Sequence, residues 1–149
     1  MAWGLQHKGT YIDAQGSVYD YERHHPIWEP YNRNRPYHVE LLEKYAQKEL
    51  RGSVNSEELS EMKSLIAAAA QEELREYNCC ADAGTTTYIA YVYSGRGQYQ
   101  LVKLYQSGDL SGENPSEEAA ELSQWLYAMM GGKGNLYVED RGCHCLKDY

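Results

Sequence analysis

Thr85-Thr86-Thr87-Tyr88-Ile89-Ala90-Tyr91-Val92-Tyr93, then Ser94-Gly95-Arg96-Gly97, then Tyr99 to Gln106, is the stretch whose reading decides the fold. The first run is rich in β-branched and aromatic residues, which suit a half-buried pleated strand. The glycine-bearing quartet supplies a turn, and the second run returns, so the segment predicts a β-hairpin over 84–106. Side chains alternate across a strand. Ile89, Tyr91 and Tyr93 therefore share one face, and Tyr88, Ala90 and Val92 share the other.

Working outward, residues 9–22 (Gly9-Thr-Tyr-Ile-Asp-Ala-Gln-Gly-Ser-Val-Tyr-Asp-Tyr-Glu22) predict a second hairpin. Tyr11-Ile12 and Val18-Tyr19 lie in its two runs, and Asp13 to Gly16 form the turn. Residues 24–36 hold Pro26, Pro30 and Pro36 with Asn32 and Asn34, which disfavours a helix or a central strand. This segment reads as an ordered surface loop anchored by Trp28 and Tyr31.

Three amphipathic helices are expected. Pro36 opens the first, and Val39, Leu42, Tyr45, Ala46 and Leu50 give its apolar stripe, with Gly52 as a stop. Ser53-Val54 is a short link that can pair as a strand. Asn55 caps the second helix, with Glu58 placed to return the bond. Leu59, Met62, Leu65, Ile66 and Ala69 form its buried face, and its pattern extends to about Tyr77. A polar loop is expected over 107–114. The third helix begins at Asn114-Pro115-Ser116-Glu117, with Asn114 as cap and Pro115 at the first helical position. It buries Ala119, Leu122, Trp125, Leu126 and Met129 and ends at Gly131-Gly132. Leu136-Tyr137-Val138 reads as a final strand. The fold class is therefore α+β: an antiparallel sheet of β-hairpins packed against two or three amphipathic helices, as one globular domain over 1–149.

The chain has 149 residues and a formal net charge of −8. Acidity disfavours nucleic acid as a partner, because the phosphate backbone is repelled. The surplus lies in residues 39–149, since residues 1–38 balance four acids with four bases. No apolar run approaches the roughly 20 residues of a membrane helix. The opening residues show no basic stretch leading into an apolar one, so no signal peptide is expected in the chain as given.

Fifteen tyrosines stand beside three tryptophans and no phenylalanine. Tyrosine joins an apolar ring to a hydroxyl, which suits half-buried strand positions and also recognition surfaces. Trp28, Tyr31, Tyr91 and Tyr93 are the candidate binding residues. The four cysteines fall as neighbours, Cys79 with Cys80 and Cys143 with Cys145. Adjacent cysteines bridge each other poorly, so disulfides are expected between the two groups. Free thiols, and a metal site with His144, remain open. Cys-x-x-Cys spacing is absent, which weighs against zinc.

Four of the five histidines, His7, His24, His25 and His38, fall in residues 1–38 and read as surface side chains. Gly131-Gly132-Lys133-Gly134 follows a helix, whereas a phosphate loop precedes one, so it reads as a helix stop. None of the nucleophile or metallohydrolase motifs is present. No catalytic residue, metal or cofactor is assigned.

Three segments, Gly9 to Tyr21, Ala81 to Tyr91, and Val102 to Asp109 with Asn114 to Leu122, resemble small bacterial proteins of unassigned activity, many of them lipoproteins. The resemblance implies a cell-envelope location after loss of a lipid-anchored leader. Three functions are expected in order: from aromatic content, paired cysteines and this resemblance, a non-enzymatic, protein-binding module of the cell envelope, using the Tyr-rich strands and the Trp28/Tyr31 loop; from acidic charge and size, an acidic immunity or inhibitor protein for a basic toxin or enzyme; and a metal-assisted hydrolase using His24, His25 or the cysteine-rich tail.

Overall fold

The Asp13–Gly16 turn organises the first part of the molecule. In the computed structural model, which describes residues 7–23, 47–78, 85–95, 98–108 and 110–132, the Asp13 carboxylate accepts from the backbone N–H groups of Gln15 and Ser17, both at 2.9 Å. Gly16 takes φ +91°, the left-handed region glycine enters without strain. Strands β1 (His7–Ile12) and β2 (Ser17–Arg23) leave this turn as the expected hairpin, with Tyr11 opposite Tyr19 and Gly9 opposite Tyr21.

Strand β3 (Gln47–Ser53) pairs antiparallel with β2 and completes a sheet of order β1-β2-β3. This overturns part of the sequence reading. Residues 47–50, assigned by spacing to the end of a helix, are strand. Tyr19 opposite Leu50 and Tyr21 opposite Lys48 show the cause: pairing with β2 outweighs local helical spacing. All seven β3 residues are exposed, and Lys48, Glu49 and Arg51 put charges on this edge, a device that blunts edge-to-edge association.

The chain divides into two compact units, Met1–Ser60 and Glu61–Tyr149. Helix α1 (Ser56–Ala69) begins in the first and continues in the second. Its cap is as expected: the Asn55 Oδ1 accepts from the Glu58 N–H at 2.8 Å, and the Asn55 amide donates to the Glu58 carboxylate at 3.2 Å. Val18, Val54 and Leu59 are buried in the first unit. The helix ends at Ala69, well before Tyr77, because residues 75–78 become strand β4 (Arg75–Asn78).

The second unit holds β4, β5 (Thr85–Gly95), β6 (Gln98–Gly108) and β7 (Leu110–Glu113) in the order β4-β7-β6-β5, every pair antiparallel. The β5–β6 pair is the hairpin read from sequence. Strand β7 falls where a polar loop was expected. Glycine permits it: a Cβ at Gly112 would stand 2.9 Å from the Arg75 carbonyl oxygen.

Helix α2 (Glu117–Met129) is capped by Ser116, whose Oγ accepts from the Ala119 N–H at 3.1 Å. The cap is thus two residues later than Asn114, which is buried and bonded elsewhere. Gly131 and Gly132, at φ +72° and +66°, end the helix region, and their N–H groups donate to the carbonyls of Ala128 and Tyr127. Met62, Ala69, Tyr88, Val102, Leu104, Tyr105, Ala119 and Leu122 form the core of this unit. The α+β class with antiparallel hairpin sheets and amphipathic helices is the observed one. No helix among the described residues is long and apolar enough to cross a membrane.

Candidate binding surface

Strand β5 carries two of the candidate residues. Its inward face, Tyr88, Ala90 and Val92, packs on the core. Alternation therefore turns Ile89, Tyr91 and Tyr93 to the opposite face. The register sets Lys103 beside Ile89, Leu101 beside Tyr91 and Tyr99 beside Tyr93. Tyr93 is 60% exposed and Tyr99 38%, and their rings meet at a tilt with centroids 5.3 Å apart. Tyr91 is half-buried along the same stripe, and its hydroxyl oxygen is buried. At its far end the Lys103 ammonium bonds the Glu76 carboxylate at 2.8 Å, tying β6 to a β4 side chain.

Trp28 and Tyr31 lie outside the described residues, as do Cys79, Cys80, Cys143, Cys145, His24, His25, His38, Lys133 and the 136–138 segment. Tyr99 was not singled out by sequence; its signal was its place opposite Tyr93 across the turn. A second aromatic surface was also missed. Tyr11, Tyr19 and Tyr21 cluster on one face of the first sheet. Tyr11 and Tyr19 are stacked at 5.0 Å and 17°, and Tyr11 and Tyr21 are tilted at 6.1 Å. The Lys48 ammonium lies 5.6 Å from the centre of the Tyr11 ring. The alternation Gly9-x-Tyr11 and Tyr19-x-Tyr21 signals the face, but helical spacing places Lys48 in a helix.

Among the described residues no group of three or more His, Cys, Asp or Glu side chains is placed to hold a metal ion. An open groove of about 240 Å³ lies beside the start of α2, between Tyr105, Glu113, Glu117 and Ser123. It is smaller than the roughly 300–1,000 Å³ of most small-molecule sites. Its buried Ser123 hydroxyl donates to the Ala119 carbonyl at 2.7 Å, and Asn114 is bonded within the fold. The Tyr88 hydroxyl is different: the residue is 3% exposed and that oxygen has no hydrogen-bond partner. Burial, and to a lesser degree Tyr127 and Tyr105, push its phenol above the ordinary 10.0, so it stays neutral at neutral pH.

These features define an α+β protein in which, among the described residues, the exposed tyrosines Tyr93 and Tyr99 stand on an antiparallel sheet. No family model matches the chain, and no solved structure matches it. A stretch of 79 residues, 52% of the chain, is 35% identical to L-aspartate oxidase of Saccharolobus solfataricus. The chain spans 13% of that protein's length.

Proposed function

We propose that the protein is a non-enzymatic binding module of the cell envelope, which holds a protein partner on the outer face of the β5–β6 hairpin. The observation that carries this reading is the exposed Tyr93–Tyr99 ring pair. Aromatic side chains with a polar tip are enriched where proteins meet, because they bury much area at low entropic cost. Half-buried Leu101 and the ring of Tyr91, whose hydroxyl is buried, extend the contact inward. Trp28 and Tyr31 belong to the same reading as aromatic anchors. The small share of L-aspartate oxidase that the chain spans lends it no activity.

The envelope location rests on the resemblance of the hairpin segments to bacterial lipoproteins and on the paired spacing of the cysteines. Disulfides between the 79/80 and 143/145 groups fit an oxidising compartment. Thiol titration of the denatured protein, with and without reductant, reads their state, and four free thiols in freshly isolated protein would remove this part.

The binding reading is tested by immobilising the full chain and its Tyr93→Ser/Tyr99→Ser variant and passing envelope extract of the source cells over both. A partner retained by the first and lost by the second, with unchanged circular dichroism, supports the module. Equal retention, or none by either, sinks it.

A second reading, an acidic inhibitor of a basic protein, draws on helix α2. Its first turn holds Glu117 and Glu118, and its last turn has no base. A basic partner that co-purifies at low salt and leaves at high salt is its expected sign.

A further inference from the structure

The two faces of the first sheet differ in charge. Alternation along β1, β2 and β3 puts Asp20, Glu22 and Glu49 on one face, together with Lys8 and Thr10. Here Asp20 is engaged, accepting from the Thr10 hydroxyl at 2.6 Å and pairing with Arg51 at 3.4 Å. The other face carries Tyr11, Tyr19, Tyr21, Lys48 and Leu50. Among the described side chains of that face there is an ammonium and no carboxylate, in a chain that holds 22 acids against 14 bases.

We propose that this tyrosine face binds an acidic peptide, one in which carboxylates alternate with apolar side chains. The rings are arranged for anions. Tyr11 and Tyr19 stack on each other, and Lys48 stands over Tyr11, so the Tyr11 and Tyr19 faces turned together are closed to an incoming planar group. What a stacked pair still offers is ring edges, the positive part of the aromatic quadrupole, and phenol O–H donors. Carboxylates accept from such donors, and Lys48 adds a full charge. Leu50, 63% exposed, is the apolar contact for the intervening side chains. A dense phosphate backbone fits less well, because it calls for a row of cations and the described side chains of this face supply one, Lys48. This surface is independent of the Tyr93–Tyr99 pair, and the two readings stand or fall separately.

Fluorescence anisotropy of the full chain with a labelled, alternating Glu/Leu peptide tests it at low salt, with the Gln/Leu counterpart as the uncharged probe. The Glu/Leu peptide binds, and the Gln/Leu peptide binds at least about tenfold more weakly. Lys48→Glu weakens binding by roughly tenfold or more, while Lys8→Glu, the same charge change on the opposite face, costs less than about twofold. Lys48→Gln, which adds no negative charge to the fold, falls between. Tyr93→Ser/Tyr99→Ser leaves the affinity unchanged. Equal losses for Lys48→Glu and Lys8→Glu overturn the proposal, because they would reflect net charge and no site. So does failure of the wild-type chain to bind the Glu/Leu peptide, or tighter binding of an oligodeoxynucleotide or sulfated dextran.

Discussion

The side-chain amide of Asn114 donates to the backbone carbonyl of Ala69 at 2.8 Å, joining the junction between β7 and α2 to the C-terminus of α1. The same nitrogen reaches the Glu72 carbonyl at 3.1 Å, so the last turn of α1 and the bend after it share one donor group. On the other side, the Asn114 Oδ1 accepts from the Ser116 hydroxyl at 2.8 Å and the Ser116 N–H at 3.1 Å. Helix ends leave carbonyls without partners inside the helix, and a buried one costs free energy unless something donates to it. Asn114, 5% exposed, meets that need from 45 residues away in sequence. Asn114→Ala strands those carbonyls and loosens Ser116. It is expected to cost about 2–3 kcal/mol in urea unfolding. Asn114→Asp is expected to cost at least as much at pH 7, since it places a carboxylate against carbonyl oxygens, and to recover part of the loss in mild acid where the group regains a proton.

Ser116 separates capping from this buried network. Its Oγ receives the Ala119 N–H, the usual task of an N-cap. Ser116→Ala is expected to cost about 1 kcal/mol, the common value for losing such a cap. Asn114→Ala exceeding Ser116→Ala in the same urea series checks the division of roles. The reverse order would mean that the Ser116 cap outweighs the buried Asn114 network.

Tyr88 brings a hydroxyl into the core with nothing to bond. Its ring is tilted against Tyr105 at 5.9 Å, so the aromatic packing does not need the oxygen. Tyr88→Phe keeps the ring and removes a desolvated polar atom, and is expected to raise stability by about 1 kcal/mol. There is also a consequence at alkaline pH. The folded-state pKa lies above the ordinary 10.0, so as pH passes that value the unfolded chain releases the Tyr88 proton while the folded chain keeps it. The folded state then binds more protons, and stability falls with rising pH until the folded phenol titrates too. Below 10.0 this contribution is fully present. Denaturant midpoints at pH 8 and on rising through 10.0 should therefore drop less in Tyr88→Phe than in the wild type.

Gly16 is expected to resist substitution for two independent reasons. Its φ of +91° lies where an L side chain is strained, and an added Cβ would stand 2.9 Å from the Val54 carbonyl oxygen. That carbonyl is backbone and cannot swing aside as a side chain would. The same region carries the Val54 N–H bond to the Gly16 carbonyl at 2.8 Å, which fixes the approach of the two segments. Gly16→Ala is expected to lose more than about 1 kcal/mol. Gly52, whose added Cβ meets nothing within 4 Å, is the comparison: Gly52→Ala should stay within about 0.5 kcal/mol.

Much of this architecture was legible because its signals are local. Asp13 and Gly16 announce a turn by their own chemistry, Asn55 and Glu58 announce a cap, and the alternation through β5 sorts Tyr88 from Tyr91 without any knowledge of the rest. The failures share the opposite property. Residues 47–50 look helical until β2 is present to pair with them. Leu110–Glu113 looks like loop until β4 and β6 flank it and Gly112 allows the close approach. Asn114 looks like a cap because its other partners, Ala69 and Glu72, are remote in sequence. The Tyr93–Tyr99 pair was half legible: Tyr93 by alternation, Tyr99 only once the register across the hairpin is known.

Leu104 shows how an irregularity in that register becomes a matter of stability. Tyr88 lies opposite Tyr105 and Ile89 opposite Lys103, so Leu104 is the extra residue of a bulge in β6. Strict alternation would send Leu104 and Tyr105 to opposite faces, yet both are buried, Leu104 at 1% exposure. The bulge therefore adds one more apolar side chain to the core than the strand length allows. Truncating it leaves a cavity that a bulged strand, pinned by the Asn114 N–H to the Leu104 carbonyl at 3.0 Å, cannot readily collapse. Leu104→Ala is expected to cost about 2–5 kcal/mol, the range for a large-to-small change in a packed core. Leu50→Ala, the same chemical change at an exposed strand position, should stay within about 0.5 kcal/mol. Comparing the two midpoints in urea tests the bulge as a packing device, and a loss at Leu104 no larger than that at Leu50 would refute it.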